Sequence, residues 1–495
     1  MNFALSLLTA ILLILVFPRF NFTWLAPIAL APLLIACARP TSWKRRFLQG
    51  WAGGFVFWFG VCYWIQFVLE VHGGMGRWGG WGTFTLFAIL KGLHMAIFAA
   101  CAGFLMPKPW AIPAVAALWS GIERTHGPLG FAWLDLGNAG LDMPLLMRLA
   151  PFTGVYGLSF CFAMLGCAIA LIVLRRPRRE LAWLLAIPLL LALPAAPASI
   201  QGDQHALIVQ PNVDTEMEWT TTSLRDVERS LAALSGAADT PLIIWPEIPA
   251  PFYPSDPAFR AYVETIARDR RAYFLFGGVA YNSANAPLNS AFLLGPDGSM
   301  IDRYDKIKLV PFGEFVPDIF GWVNRITKEA GDFAPGSRIV EFPVDHHRIG
   351  AFICYESAFP DLVREFAHDG AEVLVNLSND GYFGHSAARE QHLELVRMRA
   401  AENRRWLLRA TNDGITATID PAGRIAFQAD PYHLLAADVT YQYRSDLTIY
   451  TRFGDWFAWS CLLLALAAVV LANSHSQRSW QEAHGARSDT GEGRQ

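Results

Sequence analysis

A thiol, a carboxylate and an ammonium stand at the ends of three apolar, β-rich runs in the second half of this 495-residue chain. Cys354 ends IGAFIC, Glu247 ends LIIWPE, and Lys306 lies in RYDKIKLVPFGE, after a strand and the turn at 295–298. Together they make an acyl-transfer set. A free thiol, with a pKa of about 8.5, is only a few per cent thiolate near neutral pH and needs a base or a cation beside it. Glu247 can take the thiol proton and later return it. Lys306, with a backbone N–H near Cys354, can hold the oxyanion that develops only in the transition state. Lys308 rivals Lys306, because alternation along a strand puts both on one face. Each residue taken singly has a plainer reading: a free cysteine is ordinarily a small core hydrophobe, and a Glu–Lys pair can be a structural ion pair.

The elements that must position these groups alternate. Strand signals fall at 205–213, 241–245, 272–280, 290–294, 349–354, 372–377 and 406–410, followed by 414–419 and 424–427. Helical patterns lie between several of them, at 224–234, 257–271, 358–368 and 387–404. Strands separated by helices predict a layered α/β sheet domain. Chemistry in such sheets gathers just past the strand ends, where the three residues stand.

The rest of the chain is of another kind. Overall it is 53% hydrophobic and 17% charged, apolar for a soluble protein, but the apolar residues concentrate in 1–199 and 451–473, while 200–450 reads as an ordinary globular domain. A bilayer-crossing helix needs about 20 mostly apolar residues. Candidate spans fall at 3–18, 22–38, 49–69, 81–106, 109–123, 153–174, 181–198 and 454–473. The first has no Lys or Arg ahead of it and no small-residue cleavage site after Phe17-Pro18-Arg19, so it reads as a retained span. Arg39, Lys44, Arg45, Arg46, Lys108, Arg175, Arg176, Arg178 and Arg179 fall in alternate loops. The positive-inside rule makes that side cytoplasmic and turns 200–450 outward, in a bacterium to the periplasm. The tail 474–495 is polar, with a composition that predicts disorder.

Other signals exclude functions. A net charge of −3 with no dense basic face argues against a nucleic-acid partner. Of seven cysteines only Cys354 lies in the polar half, with no partner there for a disulfide. The run HGGMGRWGGWG at 72–82 lacks the Gly-Lys-Ser/Thr ending of a phosphate loop and reads as an outer-surface loop with interfacial tryptophans. Residues 127–151, with Trp133, Asp135 and Asn138, either line a lipid path or cap the bundle. The histidines lack ligand spacing and no nucleotide-binding Gly pattern follows a strand, so neither metal nor cofactor is expected.

The order WPE, then K-x-K-L-VPFGE, then CYE resembles the nitrilase, or carbon-nitrogen hydrolase, superfamily with its Glu-Lys-Cys triad. Spans before and after such a domain, with VQPN at 209–212, LVPFGEFVP at 309–317, ICYE at 353–356 and NLSNDGYFG at 376–384, resemble the apolipoprotein N-acyltransferase branch over nearly the whole chain. The resemblance implies an αββα catalytic domain outside the cytoplasm beside a bundle of about seven helices, with an eighth after it. It implies Glu247, Lys306 and Cys354 as the triad and prefers Lys306 to Lys308, where the family usually has His. Glu314 and Glu356 match further acidic residues around the triad, Trp219 an active-site tryptophan on a mobile loop, and Tyr355 the residue after the nucleophile. Tyr382 stands where the family often has Trp.

The implied reaction takes an acyl chain from a membrane phospholipid onto Cys354 as a thioester and passes it to the amine of a diacylglyceryl-cysteine apolipoprotein, in the bacterial inner membrane. A membrane-tethered amidohydrolase using the same triad is the alternative. A transporter is a third reading, and apart from Lys91 and His94 the spans carry few of the charged midplane residues it needs. The loop charges make a direct forecast: a reporter fused after about residue 445 reads as outside the cytoplasm and one after about 473 as inside it. A cytoplasmic signal at the first fusion overturns the eight-span topology.

Overall fold

In the computed structural model, residues 1–129, 131–196, 198, 201–311, 313–315 and 333–488 are described. The expected boundary at 199/200, residues 489–495 of the tail and, within the 309–317 motif, Phe312, Val316 and Pro317 lie outside them. The polar half forms two six-stranded sheets. The first is built from β1 (Gln204–Gln210), β2 (Leu242–Ile244), β3 (Tyr273–Tyr281), β4 (Pro287–Leu294), β5 (Met300–Asp305) and β12 (Leu435–Tyr441), in the order β12-β1-β2-β3-β4-β5. The second comprises β6 (Glu341–Val344), β7 (His347–Ile353), β8 (Val373–Ser378), β9 (Trp406–Thr411), β10 (Ala417–Ile419) and β11 (Ile425–Gln428), in the order β11-β10-β9-β8-β7-β6. In each the three central strands, β1-β2-β3 and β9-β8-β7, run parallel, and the flanking pairs are antiparallel.

Period-two alternation decides which face each strand residue meets. Ala206 and Ile208 of β1, with Ile244 and Leu275, join the core shared with Ala351, Ile353, Val375 and Leu377 of the second sheet. Leu207, Val209, Ile243 and Phe274 point the other way, onto Val227, Leu231, Phe259 and Val263 of the helices Thr221–Ser235 and Pro257–Arg270. The helices Pro360–Asp369 and Ala388–Asn403 cover the second sheet and complete the αββα sandwich. β5, β6 and β12 lie beyond the strands read from the sequence. All three are sheet edges, where one side needs no apolar cover, and β6 carries Pro343, which edges tolerate.

The apolar half divides unequally. Gly76–Leu105, Val155–Val173 and Trp456–Ser474 are each long and apolar enough to cross a membrane, and Trp43–Val61 with Ile65–His72 makes a fourth if the pair, bent by 68°, is one span. Asn2–Val16, Thr23–Ala38 and Ala111–Arg124 are shorter. Two expectations are corrected. The described residues of the run at 181–198 form no α-helix: Arg178–Ala186 and Pro188–Ala192 are 3₁₀ turns. Pro188 lacks the N–H that an α-helical ladder would need there. The tail is not disordered throughout, since the last helix runs on to Ser488. Ala, Gln, Glu and Arg in that stretch are good helix formers.

Helix Ala388–Asn403 is buried along almost its whole length because the bundle packs on its outer side. Its Gln391, 1% exposed, is the joint. The side-chain oxygen accepts from Trp64 Nε1 at 3.2 Å and Trp133 Nε1 at 2.8 Å. The amide nitrogen donates to the carbonyls of Pro18 at 2.7 Å and Val61 at 3.1 Å. All four partners belong to the apolar half. Gln391→Leu leaves them facing an apolar side chain, at about 1–3 kcal/mol for each group left unpaired. The melting temperature of the detergent-solubilised protein should fall by several degrees, and an unchanged value means the joint is held elsewhere.

Candidate active site

Glu247 follows β2 on a turn that lies flat across β3. A Cβ on Gly277 would come within 2.7 Å of Pro246 O and Ile248 N, so only glycine lets the turn approach this closely. Ile248, next in the chain, has φ +32. Cys354 opens a 3₁₀ turn directly after β7 with φ +50. Such left-handed conformations cost a side-chain-bearing residue about 1–3 kcal/mol and persist only where the surroundings fix them.

Lys306 follows β5 and is buried. Its Nζ donates to Glu247 Oε1 at 3.1 Å and to Glu314 Oε1 at 2.8 Å. Asn289 on β4 repeats that bridge, its Nδ2 donating to the same oxygens at 2.8 and 2.7 Å. Its carbonyl also accepts the Lys306 backbone N–H at 2.8 Å. Glu247 Oε2 receives the Asn379 N–H at 2.9 Å. Burial works against the Lys306 ammonium, but the charges of Glu247 and Glu314 overcome it and raise its pKa. Burial pushes the Cys354 thiol up, Glu247 adds to the rise, and Lys306 and a hydrogen bond from Ser378 only partly oppose it. The resting sulfur is therefore a thiol, and a base must take its proton as it attacks. Lys308 does not share this site: its Nζ lies over the Phe359 ring, 5.4 Å from the centroid.

Glu356 ties the thiol to the lysine. Fully buried, it accepts from the Ile353 N–H at 2.7 Å through Oε2. Its Oε1 accepts from Tyr304 Oη at 2.7 Å, Ile307 N at 2.7 Å and Lys308 N at 3.1 Å. His392 holds the nucleophile turn from the other side, with Nε2 3.0 Å from the Cys354 carbonyl. A carbonyl only accepts, so Nε2 carries a hydrogen, and Nδ1 lies 3.0 Å from Asp380 Oδ1 and 3.1 Å from Arg409 Nη2. Burial, with the Arg409 charge, lowers the imidazole pKa, and Asp380 only partly opposes the fall. Asp380 pairs with Arg409 at 2.7 Å. Burial opposes its charge, but Arg409 and His392 prevail and lower its pKa.

A cavity of about 460 Å³ joins this cluster to the apolar half. Cys354, Glu247, Lys306, Glu314, Asn289 and Asn379 form its polar wall, and Ile65, Val68, Leu69, Phe87, Leu90 and Leu129 the apolar one. Tyr355 and Tyr382 also line it, and the Tyr382 ring meets His72 with centroids 4.5 Å apart. Trp219, partly exposed, is not among the lining residues. Glu247, Lys306, Cys354, Glu314, Tyr355 and Tyr382 thus meet at one cavity, with Glu356 behind it. Sequence reading passed over Asn289, Asn379, His392, Asp380 and Arg409. Asn379 and Asp380 lie inside a motif already noted, NLSND, whereas Asn289 at a strand end and Arg409 within β9 carry no pattern that marks them.

Paired sheets of this topology, with a buried thiol, carboxylates and an ammonium meeting at their strand ends, define a carbon-nitrogen hydrolase domain, and that family's model matches residues 198–446. The apolipoprotein N-acyltransferase N-terminal domain matches residues 9–168. An apolipoprotein N-acyltransferase of Geobacter metallireducens is 32% identical, covering 97% of this chain and 96% of its own. One from Nitrosomonas europaea is 31% identical over 90% and 94%. Among solved structures, an amidase of the nitrilase superfamily from Nesterenkonia covers 50% of this chain and 93% of its own at 18% identity, with a TM-score of 0.39. The chain belongs to the apolipoprotein N-acyltransferase family.

The two neighbouring lysines give opposite forecasts. Lys306→Ala should cut acyl transfer by at least about 10²-fold, as loss of an oxyanion donor does, while Lys308→Ala should retain most of it, both measured at equal amounts of folded protein. A dead Lys308→Ala beside an active Lys306→Ala reverses the assignment.

Proposed function

We propose that the chain transfers an acyl chain from a membrane phospholipid, through a thioester on Cys354, to the α-amine of the diacylglyceryl-cysteine of an apolipoprotein. Glu247 removes the thiol proton as sulfur attacks the ester carbonyl. Lys306, with a backbone N–H near Cys354, stabilises the oxyanion. The C–S bond forms, the C–O bond breaks, and the departing lysophospholipid oxygen takes the proton from Glu247. In the second half the lipoprotein amine attacks the thioester. Glu247 accepts the amine proton and returns it to the leaving sulfur, so that an amide and a free thiol result.

The observation that carries this reading is the continuity of the cavity. Its apolar wall comes from helices of the membrane half and its polar wall from the strand ends bearing Cys354, Glu247 and Lys306. A lipid can lay its chains on the first and present an ester to the second, whereas a small soluble amide needs no such wall. Glu314 and Asn289 hold Lys306 and Glu247, Glu356 sets the lysine against the thiol, and Tyr355 and Tyr382 contact the lipid. The basic residues of alternate loops support a bacterial inner-membrane location with the catalytic domain in the periplasm. Both substrates are anchored in that leaflet. The reaction as written consumes no cofactor.

Incubation with phospholipid alone should place an acyl thioester on Cys354, detected by mass spectrometry and stripped by neutral hydroxylamine, because a site that excludes water slows its hydrolysis. A diacylglyceryl peptide should discharge it to an amide with ping-pong kinetics, and Cys354→Ser should form little adduct. Acyl chain released only as free fatty acid, even with the peptide present, makes the protein a hydrolase. If no acyl chain reaches Cys354, the reading fails.

A further inference from the structure

Among the described residues two lysines line the cavity, and they differ in how their charge is met. Lys306 lies between Glu247 and Glu314, so the wall around Cys354 carries two carboxylates against one ammonium. Lys91, on the helix Gly76–Leu105, belongs to the membrane-side wall and is 6% exposed. Among the described residues no carboxylate lies within ion-pair distance of it. Asp135 acts on it only from farther away. Its Nζ donates to Phe131 O at 3.0 Å and stands 4.6 Å from the Trp58 ring centroid and 6.0 Å from that of Phe131. One carbonyl and two ring faces do not use all the hydrogen-bond donors of an ammonium. An ionisable side chain inside an apolar helix, turned to a cavity, marks what the cavity admits.

We propose that Lys91 binds the phosphodiester of the acyl-donor phospholipid, an assignment that rests on the phospholipid-donor reading above. A phosphodiester is an anion, so Glu247 and Glu314 repel it from the wall around Cys354, and Lys91 is the remaining cation among the described lining residues. Phe131, whose ring is 6.0 Å from Lys91 Nζ, lies 5.8 Å, centroid to centroid, from the ring of Tyr355, the neighbour of Cys354. A phosphate on Lys91 leaves the ester, a few bonds away, within the cavity that Cys354 also lines, with Val68, Leu69, Phe87 and Leu90 left to the acyl chains. Lys91 then selects glycerophospholipids over neutral glycerides whatever the head-group alcohol.

The test uses the full-length enzyme in detergent micelles and follows Cys354 thioester formation from phosphatidylethanolamine and from a diacylglycerol with the same chains, which has the esters but no phosphate. Wild type should prefer the phospholipid by at least about tenfold in acylation kcat/KM, the scale of a charge-assisted hydrogen bond. Lys91→Met should collapse that ratio, and Lys91→Arg should restore most of it. A wild-type enzyme indifferent to the phosphate, a Lys91→Met that keeps the full preference, or an equal fall with both donors each overturns the assignment, the last leaving Lys91 a structural tie to Phe131. Absence of a thioester on wild type from either donor overturns the donor reading itself, and the assignment with it.

Discussion

One buried ammonium sets the terms for the catalytic half of this molecule. Lys306 is removed from water, and a lone charge in that position would cost several kcal/mol even after relaxation. Two carboxylates from different parts of the chain therefore converge on it, Glu247 after β2 and Glu314 eight residues beyond the lysine itself. Bringing them there fixes much else. β2 and β5 must end at the same level although two strands stand between them, and β4 supplies Asn289 to hold both carboxylates. The turn bearing Glu247 must lie so close to β3 that position 277 has no room for a side chain. Burial of the neighbouring thiol, with Glu247 beside it and only Lys306 in opposition on this wall, keeps it protonated at rest.

The membrane half is equally constrained by the need to bury polar groups. Gln391 offers one acceptor and one amide nitrogen to four partners, two indoles and two carbonyls, and satisfies all of them. Trp64, which makes one of these bonds, also lines the cavity beside the bend between Trp43–Val61 and Ile65–His72. The bend and the domain contact are therefore one feature. A straight span would carry Ile65, Val68 and Leu69 along the helix axis instead of placing them against the cavity.

What was legible in the sequence, and what was not, follows from how locally each signal is encoded. Central strands such as β3 and β8 are covered on both faces and read as apolar runs. The edges β5, β6 and β12 are half-solvated and do not. Cys354, Glu247 and Lys306 were visible because each follows an apolar run and falls in a recognisable order. Asn289 and Arg409 owe their places to pairing across the sheets, and nothing in the neighbouring residues announces it. The choice between Lys306 and Lys308 could not come from alternation, because the stretch that holds them lies past the end of β5 and no longer alternates. The run at 181–198 reads by length as an α-helical span, but Arg178–Ala186 and Pro188–Ala192 adopt the longer 3₁₀ rise.

The strained nucleophile turn joins these two halves. Cys354 holds φ +50 because the chain is gripped on both sides of it, the Ile353 N–H by Glu356 and the Cys354 carbonyl by His392. Glu356 also takes the N–H groups of Ile307 and Lys308, so the thiol and the ammonium are positioned by one carboxylate. His392 sits next to Gln391 on a single helix. Consecutive helical residues point about 100° apart, which lets one residue face the sandwich while the other faces the bundle. The same turn of helix thus docks the membrane half and clamps the nucleophile. A shift at the joint large enough to break the Gln391 bonds must also move His392 and loosen the turn that presents the thiol. The geometry of the Cys354 thiol therefore depends on the catalytic domain being seated on its membrane support.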